Sequence, residues 1–445
     1  MEAGSSRGLV ERWSDWDRFP GGRPFGRPEV EQVLAGLDKQ ALMELRGCRG
    51  VGKSTILRLV AEGLARRGWA REAILYLDLE DPVWAPNPSV QRLDDLLTEA
   101  GPIRAVLLDG VERLTGWVDW ARTLQARQRV VVAAARTGSL GEDPPPGVSS
   151  LDCTPLGLAD WINIFTDKKV NNESARTFLL PYLRSGGLPV ARKAEGRNHA
   201  LLDLFFAAMM KDVVLLRPVR DTRVLTAVSV YVLSRSGMPL SASRLKGRHT
   251  RSVDQARMFL DHLEAAGLIS LVQRLEDVGR SSQAARLCFA ADTGLAWALG
   301  QRSSSKLQQT VSSTGWGLAL TAVFHQFQRA GRPCWAWRHK GRHGLAVGPP
   351  EQLDLLVDLQ VGQPGALDMG PLAATMALTH CPSGLLLTDA DQAIREPTRM
   401  GDGLIETRTL WSWLLDPVST GRSVDKLSTD KKVDIYSGSL PPHLL

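Results

Sequence analysis

Glu44-Leu45-Arg46-Gly47-Cys48-Arg49-Gly50-Val51-Gly52-Lys53-Ser54-Thr55 is the most informative stretch of this sequence. From Gly47 to Ser54 it satisfies the pattern G-x-x-x-x-G-K-[ST], in which a glycine-rich loop joins a strand to a helix. The apolar run 41–45 before it predicts a short buried strand, and residues 56–64 after it have helical spacing of apolar positions. The pattern therefore predicts a phosphate-binding loop, and a chance glycine-rich turn is the alternative.

Each residue type in this loop has a chemical reason to be there. Glycines let backbone N–H groups turn inward toward phosphate oxygens, and the following helix presents its positive end to the same place. Lys53 is predicted to reach the β- and γ-phosphates, and the hydroxyl of Ser54 to ligate Mg²⁺. The predicted ligands are therefore ATP and Mg²⁺. The predicted nucleotide-binding residues are Gly47, Gly50, Val51, Gly52, Lys53, Ser54 and Thr55.

A second strand pattern ends in a carboxylate that suits a metal. After an apolar run at 73–82 that ends in acids, and a helical pattern at 90–99, residues 103–110 form another apolar run closing on Asp109. This is the form of a Walker B strand, and ligands of open α/β sheets bind at the carboxyl ends of the strands. Asp109 is therefore predicted to hold Mg²⁺, directly or through water. An Asp that caps the next turn is the alternative.

A further apolar strand, 129–135, is followed by residues suited to sensing a nucleotide. It is placed like the sensor strand of an ATPase: Thr137 or Ser139 is predicted to hydrogen-bond the attacking water, and Arg136 to touch the γ-phosphate. Ordinary loop chemistry stays open for all three. Because strands alternate with helices here, the fold class is predicted to be an α/β P-loop NTPase with a doubly wound, mostly parallel sheet.

The ordered set of motifs is similar to one family: prokaryotic AAA-type ATPases that carry a winged helix and a restriction-endonuclease-like C-terminal domain. The residues that carry the resemblance are 46–54, 74–82, Leu107-Leu108-Asp109-Gly110-Val111-Glu112, Gly116-Trp117, Thr137-Gly138-Ser139 and Tyr182-Leu183-Arg184-Ser185-Gly186-Gly187-Leu188-Pro189. In that family a Glu usually follows the Walker B Asp and polarises water. Gly110 stands there in this chain and cannot act as a base, so Glu112 is the candidate substitute. A slow switch or a binding-only site stays open.

The chain is expected to contain several units. The predicted segments are a lead-in at 1–38, the AAA-type ATPase core at 39–165, a helical lid or connector at 166–220, a winged helix at 221–300, a small α/β nuclease-like domain at 307–417 and a tail at 418–445. A polar linker at 301–306 precedes the nuclease-like domain. The polar, Pro-punctuated tail is expected to be partly disordered.

The segment 221–297 has the winged-helix order of helix, short helix, turn, helix and hairpin. The helical patterns are at 224–234, 243–246 and 252–266, and residues 238–241 break the first helix. The candidate DNA contacts are Arg248, His249, Arg251 and Gln255, with Arg274, Arg280 and Arg286 on the wing. These types suit phosphate and base-edge contacts. A protein-binding or lid module, in which the arginines form a solvated face, is the alternative.

The C-terminal unit is expected to be an inactive version of the nuclease-like domain. In the family that the chain resembles, the metal site takes an Asp and then a Glu-x-Lys on the next strand. Asp354 matches the first position, but Asp358-Leu359-Gln360 follows after too short a gap and ends in Gln. Gln lacks the positive charge that supports the attacking water and the leaving oxygen. Both acids are therefore predicted to be ordinary edge-of-strand residues, and DNA cleavage is not expected.

Composition narrows the function classes. The five cysteines are scattered without a C-x-x-C pair, which argues against a disulfide framework or zinc site and favours a reducing cytosol. No apolar run approaches the ~18 residues of a membrane helix, and no secretory signal is expected. A net charge of +6 permits nucleic-acid contact without demanding it. The chain is predicted to be cytoplasmic and to bind ATP. DNA is a candidate partner, as are other proteins or a second copy of the chain, and no membrane contact is expected.

Overall fold

The computed structural model describes residues 25–37, 42–81, 88–136, 147–166, 168–189, 196–279, 284–302, 311–362, 366–391, 396–401 and 403–416. The predictions on Thr137, Ser139 and Arg280, on the linker at 303–306 and on the tail lie outside these residues. Most of the lead-in also lies outside them.

The described elements are these. The helices are α1 (Pro28–Leu37), α2 (Lys53–Arg66), α3 (Val90–Ala100), α4 (Trp117–Ala126), α5 (Leu158–Phe165), α6 (Asn172–Ser185), α7 (Arg197–Ala208), α8 (Thr222–Leu233), α9 (Ala242–Leu245), α10 (Val253–Ala265), α11 (Thr293–Arg302), α12 (Val311–Arg329), α13 (Gly370–Thr379) and α14 (Leu410–Leu415). The strands are β1 (Leu42–Arg46), β2 (Ile74–Asp78), β3 (Ala105–Asp109), β4 (Val130–Ala135), β5 (Ser149–Asp152), β6 (Met238–Leu240), β7 (Ile269–Val272), β8 (Arg286–Ala290), β9 (Cys334–His339), β10 (Arg342–Val347), β11 (Leu355–Gln360), β12 (Ser383–Thr388), β13 (Thr398–Met400) and β14 (Gly403–Thr409).

The first unit is built on a sheet that is parallel throughout, in the order β2-β3-β4-β1-β5. Its central strands are buried on both faces because their sequences are continuous apolar runs, as parallel strands require. In β3, for example, Leu107 packs into the core on one face, and Val106 and Leu108 into the core on the other. The predicted doubly wound P-loop fold is confirmed, and β4 lies between β1 and β3.

The edge strand β5 was not predicted from the sequence. It pairs with β1 through the register Leu45↔Leu151, and its side chains alternate between half-buried and exposed. Ser149, Ser150 and Asp152 give it no apolar run, so its pairing comes from the strand beside it and not from local pattern.

A second unit contains α8 to α10 and a three-stranded antiparallel sheet in the order β6-β8-β7. The predicted helices and hairpin occur at the expected places. The segment after α8 was predicted only as a break, and this was incomplete: it forms β6, with Met238 opposite Cys288. Pro239 is tolerated there because β6 is an edge strand, where a missing N–H donor costs little.

The third unit is built on a six-stranded mixed sheet in the order β13-β14-β12-β11-β10-β9. The strands β10, β13 and β14 were not predicted from the sequence, and Asp358 was predicted to be an edge-of-strand residue. That placement was wrong: Asp358 lies inside the interior strand β11 and is 2% exposed. Asp354 lies in the turn before β11, and its Oδ2 accepts a hydrogen bond from Arg332 at 2.5 Å.

The three units share one continuous apolar core, and hydrogen bonds link their segments around it. The carboxylate of Asp292, just before α11, accepts hydrogen bonds from the N–H groups of Gly187 and Leu188, at 2.6 and 3.1 Å. Burial raises the pKa of Asp292. From α12, Arg329 donates to the hydroxyl of Thr154 at 3.2 Å, beside the first sheet. The loop after α6 and the helices of the later units are thereby held against the nucleotide-binding region.

Candidate nucleotide-binding site

The glycine-rich loop runs from the end of β1 at Arg46 to the start of α2 at Lys53. Gly50 and Gly52 have φ angles of +83° and +104°, which residues with a side chain rarely adopt. A Cβ on Gly47 would lie 2.6 Å from the carbonyl oxygen of Cys153, so this position also requires glycine. The N-cap Gly52 provides no side-chain acceptor, which leaves the first N–H groups of α2 for a ligand. The loop fits an anionic ligand such as phosphate.

Lys53 lies folded over this loop. Its Nζ donates to the carbonyl oxygens of Gly47 and Cys48 at 2.6 and 3.1 Å. Burial lowers the pKa of Lys53, because the charged amine is shielded from water. Two carbonyls are modest partners for an ammonium, so phosphate oxygens can replace them at little cost. Ser54 is exposed beside it, at the first turn of α2.

Asp109 closes β3 at the same edge of the sheet. Tyr76 donates its hydroxyl to Asp109 Oδ2 at 3.0 Å, and Asp78 stands opposite Asp109 in the neighbouring strand. Burial, followed by the charge of Asp109, raises the pKa of Asp78. The described residues contain no group of three or more potential protein ligands for a metal. In nucleotide sites Mg²⁺ is usually held by one or two protein ligands together with phosphate and water. The hydroxyl of Ser54 and the carboxylate of Asp109 are oxygen ligands of the kind that this ion takes.

The position after Asp109 is closely packed although it carries no side chain. Gly110 has φ +80°, and a Cβ built on it would lie 3.3 Å from Cγ of Glu80. Glu112, the sequence candidate for the missing carboxylate, lies in the short turn Val111–Arg113 and forms an ion pair with Arg136. The structure thus brings Glu112 and Arg136 together, and it places a third residue, Glu80, at Gly110.

An ion network covers the loop. Arg49, within the loop, donates to Glu80 Oε1 at 2.6 Å and to Asp212 Oδ1 at 2.7 Å. Arg136 also pairs with Glu80, and its Nη2 lies 2.7 Å from Asp212 Oδ1. Lys211 reaches Glu80 Oε2 at 3.5 Å. Two arginines and two carboxylates from four separate segments thus meet at the edge of the sheet where nucleotide is predicted to bind.

The network ties the helical connector to the loop. Asp212 is fully buried in the π-helical turn Met209–Val214, which continues α7. A Cβ on Gly50 would lie 2.6 Å from the methyl group of Leu204 on α7, so this helix packs directly on the glycine-rich loop. No role was predicted from the sequence for Arg49, Glu80 or Asp212. Glu80 could have been noticed, because it is one of the acids at the end of the apolar run 73–82. Asp212 lies 163 residues from Arg49, in a segment whose sequence has no motif.

The stability that Glu80 contributes is expected to fall in acid. Burial alone would raise the pKa of Glu80, but Arg49 and Arg136 outweigh it and hold the pKa at about 2, against an ordinary value of 4.5. Because the folded-state pKa is the lower one, the contribution is complete above about pH 4.5 and is lost as the pH falls toward about 2. Urea unfolding of wild type and Glu80→Gln should give free-energy differences that shrink between about pH 5 and about pH 3. A constant difference over that range would contradict the lowered pKa.

The candidate DNA contacts of the second unit lie at the start of α10. Arg248 and Arg251 are exposed, and the ring of His249 packs against that of Tyr231, tilted by 42° at a centroid distance of 4.5 Å. Burial, followed by the charge of Arg248, lowers the pKa of His249, which favours the neutral ring at neutral pH. Gln255 was predicted as a base-edge contact, but its Oε1 accepts a hydrogen bond from the N–H of Arg251 at 2.9 Å. That acceptor is occupied by the turn.

Asp358 of the third unit is held by neighbouring side chains. Its Oδ2 accepts hydrogen bonds from Gln360 Nε2 at 2.9 Å and from Arg342 Nη1 at 3.3 Å. In the Glu-x-Lys pattern a Lys stands at the position of Gln360. Here Gln360 instead donates a hydrogen bond to the Asp358 carboxylate. The structure does not bring Asp354 into this group, since it pairs with Arg332.

Comparison with known proteins agrees with the geometry of the first unit. A family model described as an AAA domain matches residues 39–146, and one described as a domain of unknown function (DUF8612) matches residues 177–306. An uncharacterized protein from Haemophilus influenzae is 22% identical over 270 residues, which cover 56% of this chain and 67% of that protein. The AAA match, together with the strand order, supports an AAA-type P-loop ATPase domain in the N-terminal region.

Solved structures of ATPases are also similar over part of the chain. The Walker-type ATPase PABY2304 of Pyrococcus abyssi is 14% identical and covers 64% of this chain and 99% of its own, with a TM-score of 0.40. The RuvB Holliday junction branch migration motor of Thermotoga maritima is 16% identical and covers 59% of this chain and 92% of its own, with a TM-score of 0.31. Among the described residues, no helix is both long and apolar enough to cross a membrane.

Proposed function

We propose that this chain is an Mg²⁺-dependent ATPase, or ATP-gated switch, that couples the state of its nucleotide to its C-terminal units. One observation carries the proposal: a glycine-rich loop joins β1 to α2 in a sheet where β4 lies between β1 and β3. This order brings Lys53 and Asp109 to the same edge. Ligands of such sheets bind there.

The residues present have distinct parts in this proposal. The loop's backbone N–H groups and the N-terminus of α2 hold the phosphates, and Lys53 neutralises charge on the β- and γ-oxygens. Ser54 and Asp109 hold Mg²⁺, which supplies further charge neutralisation for in-line attack by water on the γ-phosphorus. Arg136, at the end of β4, faces the same edge and is a candidate contact for the γ-phosphate.

Coupling to the rest of the chain is supported by Asp212. Through Arg49 this buried residue connects the glycine-rich loop with α7 and the turn that follows it, at 2.7 Å. An anion in the loop competes with Asp212 for Arg49 and so weakens a contact that holds the connector. The bound state can therefore change the position of α7 and of the helices behind it.

Phosphate release by wild type and Lys53→Ala, with and without Mg²⁺, tests the proposal. Mg²⁺-dependent release by the wild type above that of the variant supports hydrolysis. If the wild type binds ATP without turnover, the ATP-gated switch remains the proposed function and ATP hydrolysis is excluded. A chain that does not bind ATP leaves only the second candidate, a DNA- or partner-binding regulatory protein with a vestigial nucleotide site.

DNA binding is a second candidate because of the second unit. Its helices and antiparallel sheet have the order of a winged helix, and Arg248 and Arg251 are exposed at the start of α10. An open groove of about 580 Å³ beside them is lined in part by Tyr231 and His249. Exposed arginines beside a helix start suit phosphate contacts, and release of counterions from DNA makes the affinity of such contacts strongly salt-dependent.

Arg248→Ala with Arg251→Ala is expected to weaken duplex binding about 10-fold or more at low salt. The plot of log affinity against log salt should become shallower by roughly 0.9 for each phosphate that the variant no longer neutralises. Fluorescence anisotropy over a salt series measures both effects. Arg302→Ala, which removes an exposed charge from the end of α11, is the control.

If the double variant and the control bind DNA equally, the second unit does not use this face on DNA.

The same samples, incubated with Mg²⁺, are expected to leave plasmid DNA uncut. We propose that the third unit is a nuclease-like fold without activity, because Asp358 is paired with Gln360 and Arg342. Cleaved plasmid would overturn that interpretation.

A further inference from the structure

The first unit lacks a side chain at a position where hydrolysis needs one. Asp109 and Lys53 lie at one edge of the sheet, but Gly110, next to the metal-binding carboxylate, provides nothing that can hold a water molecule. Orientation of the nucleophile contributes a large part of phosphoryl transfer, so a chain with an intact loop and no such group would bind ATP and turn it over very slowly.

Another strand fills this place. For a Cβ built on Gly110, the three nearest heavy atoms all belong to Glu80: Cγ at 3.3 Å, the backbone nitrogen at 3.9 Å and Oε1 at 4.0 Å. Glu80 follows β2, which pairs in register with β3, and its N–H donates to Asp78 Oδ1 at 2.9 Å. The backbone is thereby fixed so that the Glu80 carboxylate lies where a longer side chain on residue 110 would extend. Glu112 contributes no atom to that set.

We propose that Glu80 is the carboxylate that orients and deprotonates the attacking water, in place of the side chain that Gly110 lacks. This inference rests on the proposed ATPase function and names a catalytic residue for it. The water oxygen forms a bond to the γ-phosphorus, the bond from that phosphorus to the β,γ-bridging oxygen breaks, and ADP leaves with the electron pair. The water proton passes to Glu80 and then to the phosphate product or to solvent.

The arginines around Glu80 set when it acts. Arg49 donates to both of its oxygens, at 2.6 and 3.2 Å, and Arg136 also pairs with Oε1. With both contacts made, the oxygens of Glu80 are occupied and water is a poor competitor. Arg49 belongs to the glycine-rich loop and Arg136 directly follows β4 at the same edge of the sheet, so an anionic substrate attracts both. Their movement toward it leaves carboxylate oxygens for water and removes the charges that hold the pKa of Glu80 at about 2. Binding of substrate and availability of Glu80 are thereby linked.

Glu80→Gln tests the proposal, because glutamine keeps the size of the side chain and removes its ability to take a proton. We expect kcat for Mg²⁺-dependent phosphate release to fall about 100-fold or more. The Kd for a fluorescent ATP analogue should stay within about threefold of the wild-type value, since the loop and Lys53 are unchanged, and this binding also reports that the variant is folded. The matched control is Glu72→Gln, an exposed glutamate just before the same strand.

The outcomes separate the proposal from the function on which it rests. If the wild type binds the analogue but releases no phosphate, the proposed ATPase function is wrong, and so is the proposed role of Glu80. Wild-type turnover that persists in Glu80→Gln overturns only the role of Glu80. If Glu112→Gln, and not Glu80→Gln, abolishes turnover while binding is intact, the carboxylate is Glu112 and the proposal is wrong. Loss in Glu80→Gln alone supports it.

Discussion

Lys53→Ala is expected to lower kcat/KM for Mg²⁺-dependent ATP hydrolysis by at least about 100-fold, which corresponds to about 2.7 kcal/mol of transition-state stabilisation. Lys53 Nζ lies on the carbonyl oxygens of Gly47 and Cys48, so it is already inside the loop where phosphate is predicted to bind. Charge on the γ-phosphoryl oxygens has to be neutralised as the bond to the leaving group breaks. Alanine removes that positive charge and leaves the loop's N–H groups in place.

Affinity should fall less than turnover in this variant. The backbone N–H groups and the dipole of α2 still contact the phosphates, so the Kd for ATP is expected to rise roughly 10-fold. Phosphate release and nucleotide titration on the same samples give the two values. Lys168→Ala, which removes an exposed lysine outside the site, is the matched control. Equal turnover by Lys53→Ala and this control would mean that the glycine-rich loop takes no part in catalysis.

The parts of this site that could be predicted are those in which chemistry and local pattern coincide. Glycines at fixed spacing, followed by Lys53 and Ser54 between an apolar run and a helical pattern, define their own local structure. Asp109 is similar, because a buried strand that ends in a carboxylate delivers it to the ligand-binding edge of the sheet. Strand order was needed to show that these two segments meet there, with β4 between them.

The rest depends on contacts that no local pattern encodes. β5 is polar and forms only because β1 provides an edge to pair with. Glu80 could be placed at the end of β2, but its proximity to Gly110 follows from the register of β2 with β3. Asp212 reaches the loop because α7 packs over Gly50 and continues into a π-helical turn. In each case the deciding fact is a tertiary neighbour, which outweighs local propensity.

Asp212→Ala is expected to lower the free energy of unfolding of the first unit by about 3 kcal/mol, near the lower end of the range for breaking a buried ion pair. Asp212 has no exposed side-chain surface, and it accepts from Arg49 and lies 2.7 Å from Arg136. Its removal leaves two largely buried guanidinium groups with less negative charge around them. Glu80 remains beside both arginines, and for this reason the effect is not placed at the upper end.

The same variant tests whether the connector and the loop act together. Asp212 contacts Arg49 of the loop directly, whereas Lys211 of the same turn reaches Arg49 only through Glu80. Removal of Asp212 should therefore raise amide hydrogen exchange in residues 197–214 and in 47–52 together. Asp203→Ala removes an exposed carboxylate from the same helix and should change neither stability nor exchange in the loop. If Asp212→Ala and Asp203→Ala have the same free energy of unfolding, the ion network is screened by solvent and adds little to stability. Faster exchange in 197–214 alone would mean that α7 is held by Asp212 but does not communicate with the loop. Faster exchange in both segments would support the proposal that Asp212 couples the glycine-rich loop to α7 and the turn after it.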